Sequence, residues 1–270
     1  MMMNMTVGEL EEMLLSKYPA QDAEPWDRTG LLVGNPDALV EGVAVALDPT
    51  VPAVLAAKEA GCNVLLTHHP AFLEAPESFL PGPSVAAQPG ALVVAALQND
   101  VALINFHTAL DLNEEGLMAM PSALGLEYVR TVQPLSGASA TGRGYGALCT
   151  LPADRELASV GDVAAWCKSA FGTSPRIWGD PCATVCHVVT AQGGAGCIAA
   201  DALAAGADCL VCGEFKYHDA LAYSQAGMAI IELGHDKSEL PLAHALYKAV
   251  KRLGVEKVVE FEQTQNWVCL

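Results

Sequence analysis

Hydrophobic positions fall into short unbroken runs alternating with stretches of helical spacing. Leu10, Met13 and Leu14 recur at helical intervals behind Thr6-Val-Gly-Glu9, which has the form of a capping box, so a helix is expected to about Tyr18. Residues 19–41 look like loop. Val43-Ala-Val-Ala-Leu47 is apolar at every position, the pattern of a strand buried on both faces. A helix over 51–60 stopped by Gly61, a second strand at Val64-Leu65-Leu66, a loose Pro/Gly segment at 75–90, a helix over 90–98 and a strand from Val101 to Phe106 follow. This alternation predicts a parallel sheet covered by helices. Ligands gather at the carboxyl ends of strands in such sheets.

The character changes near Leu126. Strand-like pieces occur at 127–133 and 145–150, with a helix at 154–171. Strands are expected at 183–189, 208–211 and 228–233, and a helix at 217–226. Ser238 is expected to cap a last helix to about Leu253, before a strand at 258–262. The expected fold class is therefore α/β, with mainly parallel sheets flanked by helices.

Chemistry collects at the strand ends. Of the seven histidines, four follow strands directly or sit in the next turn. His68/His69, His107-x3-Asp111 and His235-x3-Glu239 form three motifs of imidazole and carboxylate, which suit Zn, Fe, Mn or Ni. Adjacent histidines at a strand end point apart and suit two neighbouring ions. A carboxylate such as Glu239 can bridge such ions, which favours a two-metal site. Gly213-Glu214 leads to His218; here Glu214 is a candidate general acid/base and His218 a candidate proton shuttle, against an ordinary helix-start acid and a surface histidine.

Two further patterns are weaker. Cys182-x3-Cys186 with Cys209-x2-Cys212 has zinc-ribbon spacing. On strands, residues i and i+3 face opposite sides, and i and i+4 stand ~13 Å apart. These thiols are therefore expected to be small hydrophobes of the core. Gly193-Gly194-x-Gly196 follows a strand, where its amides would hold an anion or, more plainly, let a helix pack closely. Gly142-Arg-Gly144-Tyr-Gly146 precedes a strand, the wrong order for a dinucleotide fingerprint.

Composition limits the function. The 270 residues carry 31 acidic against 14 basic side chains, a net charge of −17, so nucleic acid is disfavoured as a partner. Mean hydropathy is positive, yet no uncharged run approaches the ~20 residues a membrane span needs. No basic region opens the chain, and nine cysteines are an odd number. Reduced thiols in a cytoplasmic protein are therefore expected.

Five segments together resemble one family: Trp26-Asp27-Arg28-Thr29-Gly30-Leu31-Leu32-Val33-Gly34, Thr67-His68-His69-Pro70, His107-Thr108-Ala109-Leu110-Asp111, Gly213-Glu214-x3-His218 and Gly234-His235-Asp236-Lys237-Ser238-Glu239. The chain is similar to the NGG-interacting-factor-three-like proteins, also named GTP cyclohydrolase 1 type 2 homologues, in their short bacterial form. The resemblance implies that His69 and Asp111 hold one divalent ion, that His68 and His235 hold another, and that Glu239 bridges them. His107 then becomes a group behind the ligands or on the substrate side, and a catalytic candidate beside Glu214 and His218. Arg28 and Ala109 stand where the family usually has Asn, and Cys212 where it usually has Thr.

Two interlocked α/β domains are also implied, 1–126 with 229–270 and 127–228, in a ring-shaped homohexamer. The implied activity is a metal-dependent hydrolase acting on C8 of the guanine ring of GTP, so a small-molecule nucleotide is the expected partner. The alternative is a metal-binding regulatory or carrier protein without turnover. Glu214 and His218 discriminate: facing the metals they favour hydrolysis, and facing outward they favour binding. A purely structural role for the histidines is the third reading.

Overall fold

The computed structural model describes residues 5–81, 89–136, 142–155 and 158–262. Cys269 and part of the Pro/Gly segment at 75–90 lie outside the described residues. The strands in chain order are β1 (Gly30–Val33), β2 (Val43–Ala46), β3 (Val64–Thr67), β4 (Ala102–Asn105), β5 (Glu127–Pro134), β6 (Gly144–Thr150), β7 (Arg176–Trp178), β8 (His187–Gly194), β9 (Cys209–Glu214), β10 (Ala229–Glu232) and β11 (Val258–Glu260). The chain divides into two compact units. Among the described residues, those through Leu110 and from Leu242 form the first; Asp111–Pro241 belong to the second.

The first unit holds a five-stranded sheet in the order β1-β4-β3-β2-β11. Its β11/β2, β2/β3 and β3/β4 pairs are parallel, and β1 runs antiparallel to β4 at the edge. Every residue of β2, β3 and β4 is buried, as the uninterrupted apolar runs require. The capping box forms as expected: Thr6 Oγ1 accepts from the Glu9 amide, and the Glu9 carboxylate accepts from the Thr6 amide. Strand β1 corrects the loop reading of 19–41. It is four residues long, its apolar run is only Leu31-Leu32-Val33, and Leu31 and Leu32 at its centre are half-buried.

The second unit holds a six-stranded sheet in the order β5-β6-β8-β9-β10-β7. Its pairing is mixed: β8/β9 and β9/β10 are parallel, while β5/β6, β6/β8 and β7/β10 are antiparallel. Alternate residues enter separate cores on its two faces. Val188, Cys209, Val211 and Ile231 pack on one side, and Val189, Leu210, Cys212 and Ile230 on the other. Cys209 and Cys212 thus point to opposite faces, which rules them out as a chelating pair. Burial pushes the Cys149 and Cys167 thiols up to about 12, so these behave as hydrophobes.

Cys182 and Cys186 depart from the core expectation, and Cys197 is exposed with them. Strand β8 starts at His187 rather than 183, so Cys182 and Cys186 precede it, with their amides bound to Asp180 and Asp208. Among the described residues, no cluster of three potential metal ligands includes a cysteine.

Candidate metal centre

In the first unit, β3 and β4 end side by side and deliver three histidines to the same sheet edge. His68 and His69 follow β3, and His107 lies two residues beyond β4. One ring nitrogen from each lies within 4.8 Å of the others. The His107 ring centroid is 5.2 Å from His68 and 5.6 Å from His69. The His68 and His69 rings are tilted by 45° with centroids 5.0 Å apart, so they diverge less than their adjacency suggests.

Each imidazole is oriented from behind by an oxygen. His68 is fully buried, and its Nδ1 lies 3.0 Å from the Phe106 carbonyl. His69 Nδ1 lies 2.7 Å from Asp48 Oδ1, and His107 Nδ1 lies 3.0 Å from Asp27 Oδ1. A carbonyl or carboxylate only accepts, so in all three rings Nδ1–H donates, and in the neutral ring Nε2 is then the metal-binding nitrogen. That tautomer is the one divalent metals take, with the far nitrogen held by an oxygen. The donor set therefore fits a divalent ion.

Asp27 is itself fixed. Its side chain is fully covered and also accepts from the Thr108 amide (2.9 Å) and hydroxyl (2.5 Å). Burial alone would raise its carboxyl, but the hydrogen bonds from His107 and Thr108 outweigh burial and hold it at about 2. Asp27 and Asp48 are functional candidates that the motif reading left unassigned. Asp48 had a signal, since it follows β2 at the sheet edge that carries the histidines.

In the second unit the helix His235–Arg252 begins three residues before the expected cap. His235 and Glu239 are therefore i and i+4 on one helical face, with His235 Nε2 3.1 Å from Glu239 Oε2. Ser238 lies inside the helix; its hydroxyl donates to the His235 carbonyl (2.8 Å) and accepts from the Gly193 amide (2.9 Å). Glu239 is buried and His235 half-exposed.

Gly193 and Gly194 lie within β8 and do not open a helix as expected. At Gly193, with φ +56°, a Cβ would stand 2.4 Å from Glu239 Oε1. The glycine thus makes room for the carboxylate. Gly193→Ala is expected to fold with about 1–3 kcal/mol lost to backbone strain and to displace Glu239. A thermal melt paired with elemental analysis checks both effects.

The remaining candidates separate. Glu214 ends β9, three residues before the helix Tyr217–Gln225 rather than at its start; it is exposed, and its Oε1 is 3.2 Å from His235 Nδ1. His218 lies exposed on the first turn of the helix Tyr217–Gln225, its ring edge-on to Tyr217 at 5.2 Å. Asp111 ends the helix Thr108–Asp111, one turn beyond His107. Of the departures from the family pattern, Arg28 donates from Nε to the Leu73 carbonyl (2.9 Å), while Ala109 and Cys212 are buried.

Comparison with known proteins follows the same outline. Residues 5–266 match the family model Duf34/NIF3 (NGG1p interacting factor 3). A Streptomyces coelicolor protein named GTP cyclohydrolase 1 type 2 homolog is 30% identical over 97% of this chain and 88% of its own length. A Clostridium acetobutylicum protein of the same name is 24% identical over 97% of each. Among solved structures, a Staphylococcus aureus hypothetical protein superposes with a TM-score of 0.86 at 24% identity, covering 98% of this chain and 99% of that one. A Bacillus cereus protein related to NIF3 gives 0.85 at 18% identity, over 99% and 100%. These likenesses bear out the α/β fold class. Among the described residues, no helix is long and apolar enough to cross a membrane.

Proposed function

The chain belongs to the Duf34/NIF3 family, and we propose that it is a dinuclear metal-dependent hydrolase acting on the purine ring of GTP. The proposed ligands are His68, His69, Asp111, His235 and Glu239, as the family resemblance implies. The observation that carries the reading lies within the first unit. His68, His69 and His107 converge, and each has its Nδ1 held by an oxygen acceptor.

Bound divalent ions would supply Lewis-acid stabilisation of developing charge and acidify water at neutral pH. The chain's own residues prepare for this. The Phe106 carbonyl, Asp48 and Asp27 fix the tautomers of three imidazoles. His107 extends the ligand cluster or accepts a proton at Nε2. Glu214 is a positioning residue, because its carboxylate holds Nδ1 of His235. Ser238 ties the helix carrying His235 and Glu239 to Gly193.

Both members of the discriminating pair are exposed, which favours the alternative, a metal-binding regulatory or carrier protein; the contact of Glu214 with His235 is what supports hydrolysis. The names of the Streptomyces and Clostridium relatives support a nucleotide as the small-molecule partner. The same family reading proposes a cytoplasmic homohexamer built from the domains 1–126 with 229–270 and 127–228. GTP incubated with the zinc- or manganese-loaded protein is expected to lose its guanine absorbance as the imidazole ring opens. Full metal occupancy without turnover of any nucleotide would favour the carrier reading.

A further inference from the structure

Trp26 stands at the rim of the histidine cluster with 56% of its surface exposed. A single exposed apolar side chain is ordinary. What sets this one apart is that the chain around it is tied down on every side. The Asp27 amide donates to the Glu24 carbonyl (2.9 Å), and the Asp27 carboxylate binds His107 and Thr108. The Glu24 amide donates to Thr108 Oγ1 (2.9 Å), and Asn105 donates to the Arg28 carbonyl (2.5 Å). Arg28 Nε reaches the Leu73 carbonyl. Two of these partners, Asn105 and Thr108, are buried, so the segment cannot fold the indole into the core without breaking bonds to them.

The indole centroid lies 5.8 Å from the His107 ring at an interplanar angle of 70°. His107 in turn touches His68 and His69. A flat group laid on the indole would therefore stand one ring away from the ligand nitrogens. A rigidly presented aromatic surface binds with little loss of conformational freedom. It also favours π-systems over aliphatic groups of equal area, because stacking adds to burial.

We propose that Trp26 is a stacking platform for a planar nitrogen heterocycle, placing that ring beside the histidine cluster. The proposal rests on the metal-site reading for its purpose, and it adds Trp26 as the residue that would hold the base of that site's substrate.

The test is calorimetric titration of zinc-loaded protein with guanosine and adenosine, with ribose as the non-aromatic control and zinc content measured on the same samples. Wild type is expected to bind both nucleosides and not ribose. Trp26→Ala is expected to bind them about 10-fold or more weakly, and Trp26→Phe to stay within about 3-fold of wild type. Zinc content should be equal in all three proteins. The proposal is overturned if wild type binds no nucleoside, if Trp26→Ala binds like wild type, or if Trp26→Phe is as weak as Trp26→Ala. A Trp26→Ala protein altered only in its association state also overturns it, in favour of a subunit contact. Wild type that holds no zinc yet binds nucleosides through Trp26 would refute the metal reading and leave the platform standing.

Discussion

Replacing His69 with alanine is expected to lower zinc affinity by at least about 100-fold, measured by competition with a chromophoric chelator. His69 contributes one of the three nitrogens of the histidine cluster. Losing a ligand should exceed the 10–100-fold typical when a group orienting a ligand is removed. Asp48→Ala supplies that milder comparison, because Asp48 fixes the far nitrogen of His69. The order expected is wild type, then Asp48→Ala, then His69→Ala. If Asp48→Ala were the weaker binder, orientation of His69 would not be what Asp48 provides. Both side chains are partly exposed, so the folded state should survive either change.

Glu232→Ala should produce the largest loss of stability, about 2–4 kcal/mol, seen as a fall in Tm of roughly 5–10 °C. Its buried carboxylate accepts from Arg176 Nε (2.6 Å) and Nη2 (2.8 Å), Trp178 Nε1 (2.6 Å) and the Phe215 amide (2.9 Å). Arg176 can return to water, being 65% exposed. The Trp178 and Phe215 donors have less freedom to do so, and they carry most of the cost. Burial alone would raise the Glu232 carboxyl, but the hydrogen bonds from Arg176, Trp178 and Phe215 outweigh it and hold it below its ordinary value of 4.5. A depressed carboxylate stabilises the fold above its unfolded pKa. That contribution should disappear as pH falls below 4.5 toward the folded value, so wild type and Glu232→Ala should converge in strong acid. Parallel melting curves at every pH would contradict this assignment. Because the Phe215 amide follows Glu214 directly, the variant should also loosen the group that holds His235.

The buried strands were legible because β2, β3 and β4 are apolar at consecutive positions, and their ends carry the histidine motifs. The capping box at Thr6 and Glu9 was legible for the same local reason. Strand β1 was not, since its burial comes from pairing with β4 and its four residues show no period of their own. The start of the helix at His235 was missed because Ser238 has the residue type of a cap, yet its hydroxyl serves a bond to Gly193 that only the fold creates. The exposed Cys182 and Cys186 were misread because β8 begins after them.

Within the site, residue type and spacing identified the histidines and the acids on His-x3-Asp and His-x3-Glu. They did not identify Asp27 and Asp48, which lie 80 and 21 residues from the rings they hold. Such partners appear only once the sheet has brought their strand ends together.

The account stands on metal occupancy. Elemental analysis of wild type purified from medium supplemented with zinc, manganese and iron, then dialysed, should give two ions per chain. The His69→Ala protein prepared alongside should have lost at least one of them. Fewer than one ion per wild-type chain, with the same count in His69→Ala, would contradict it.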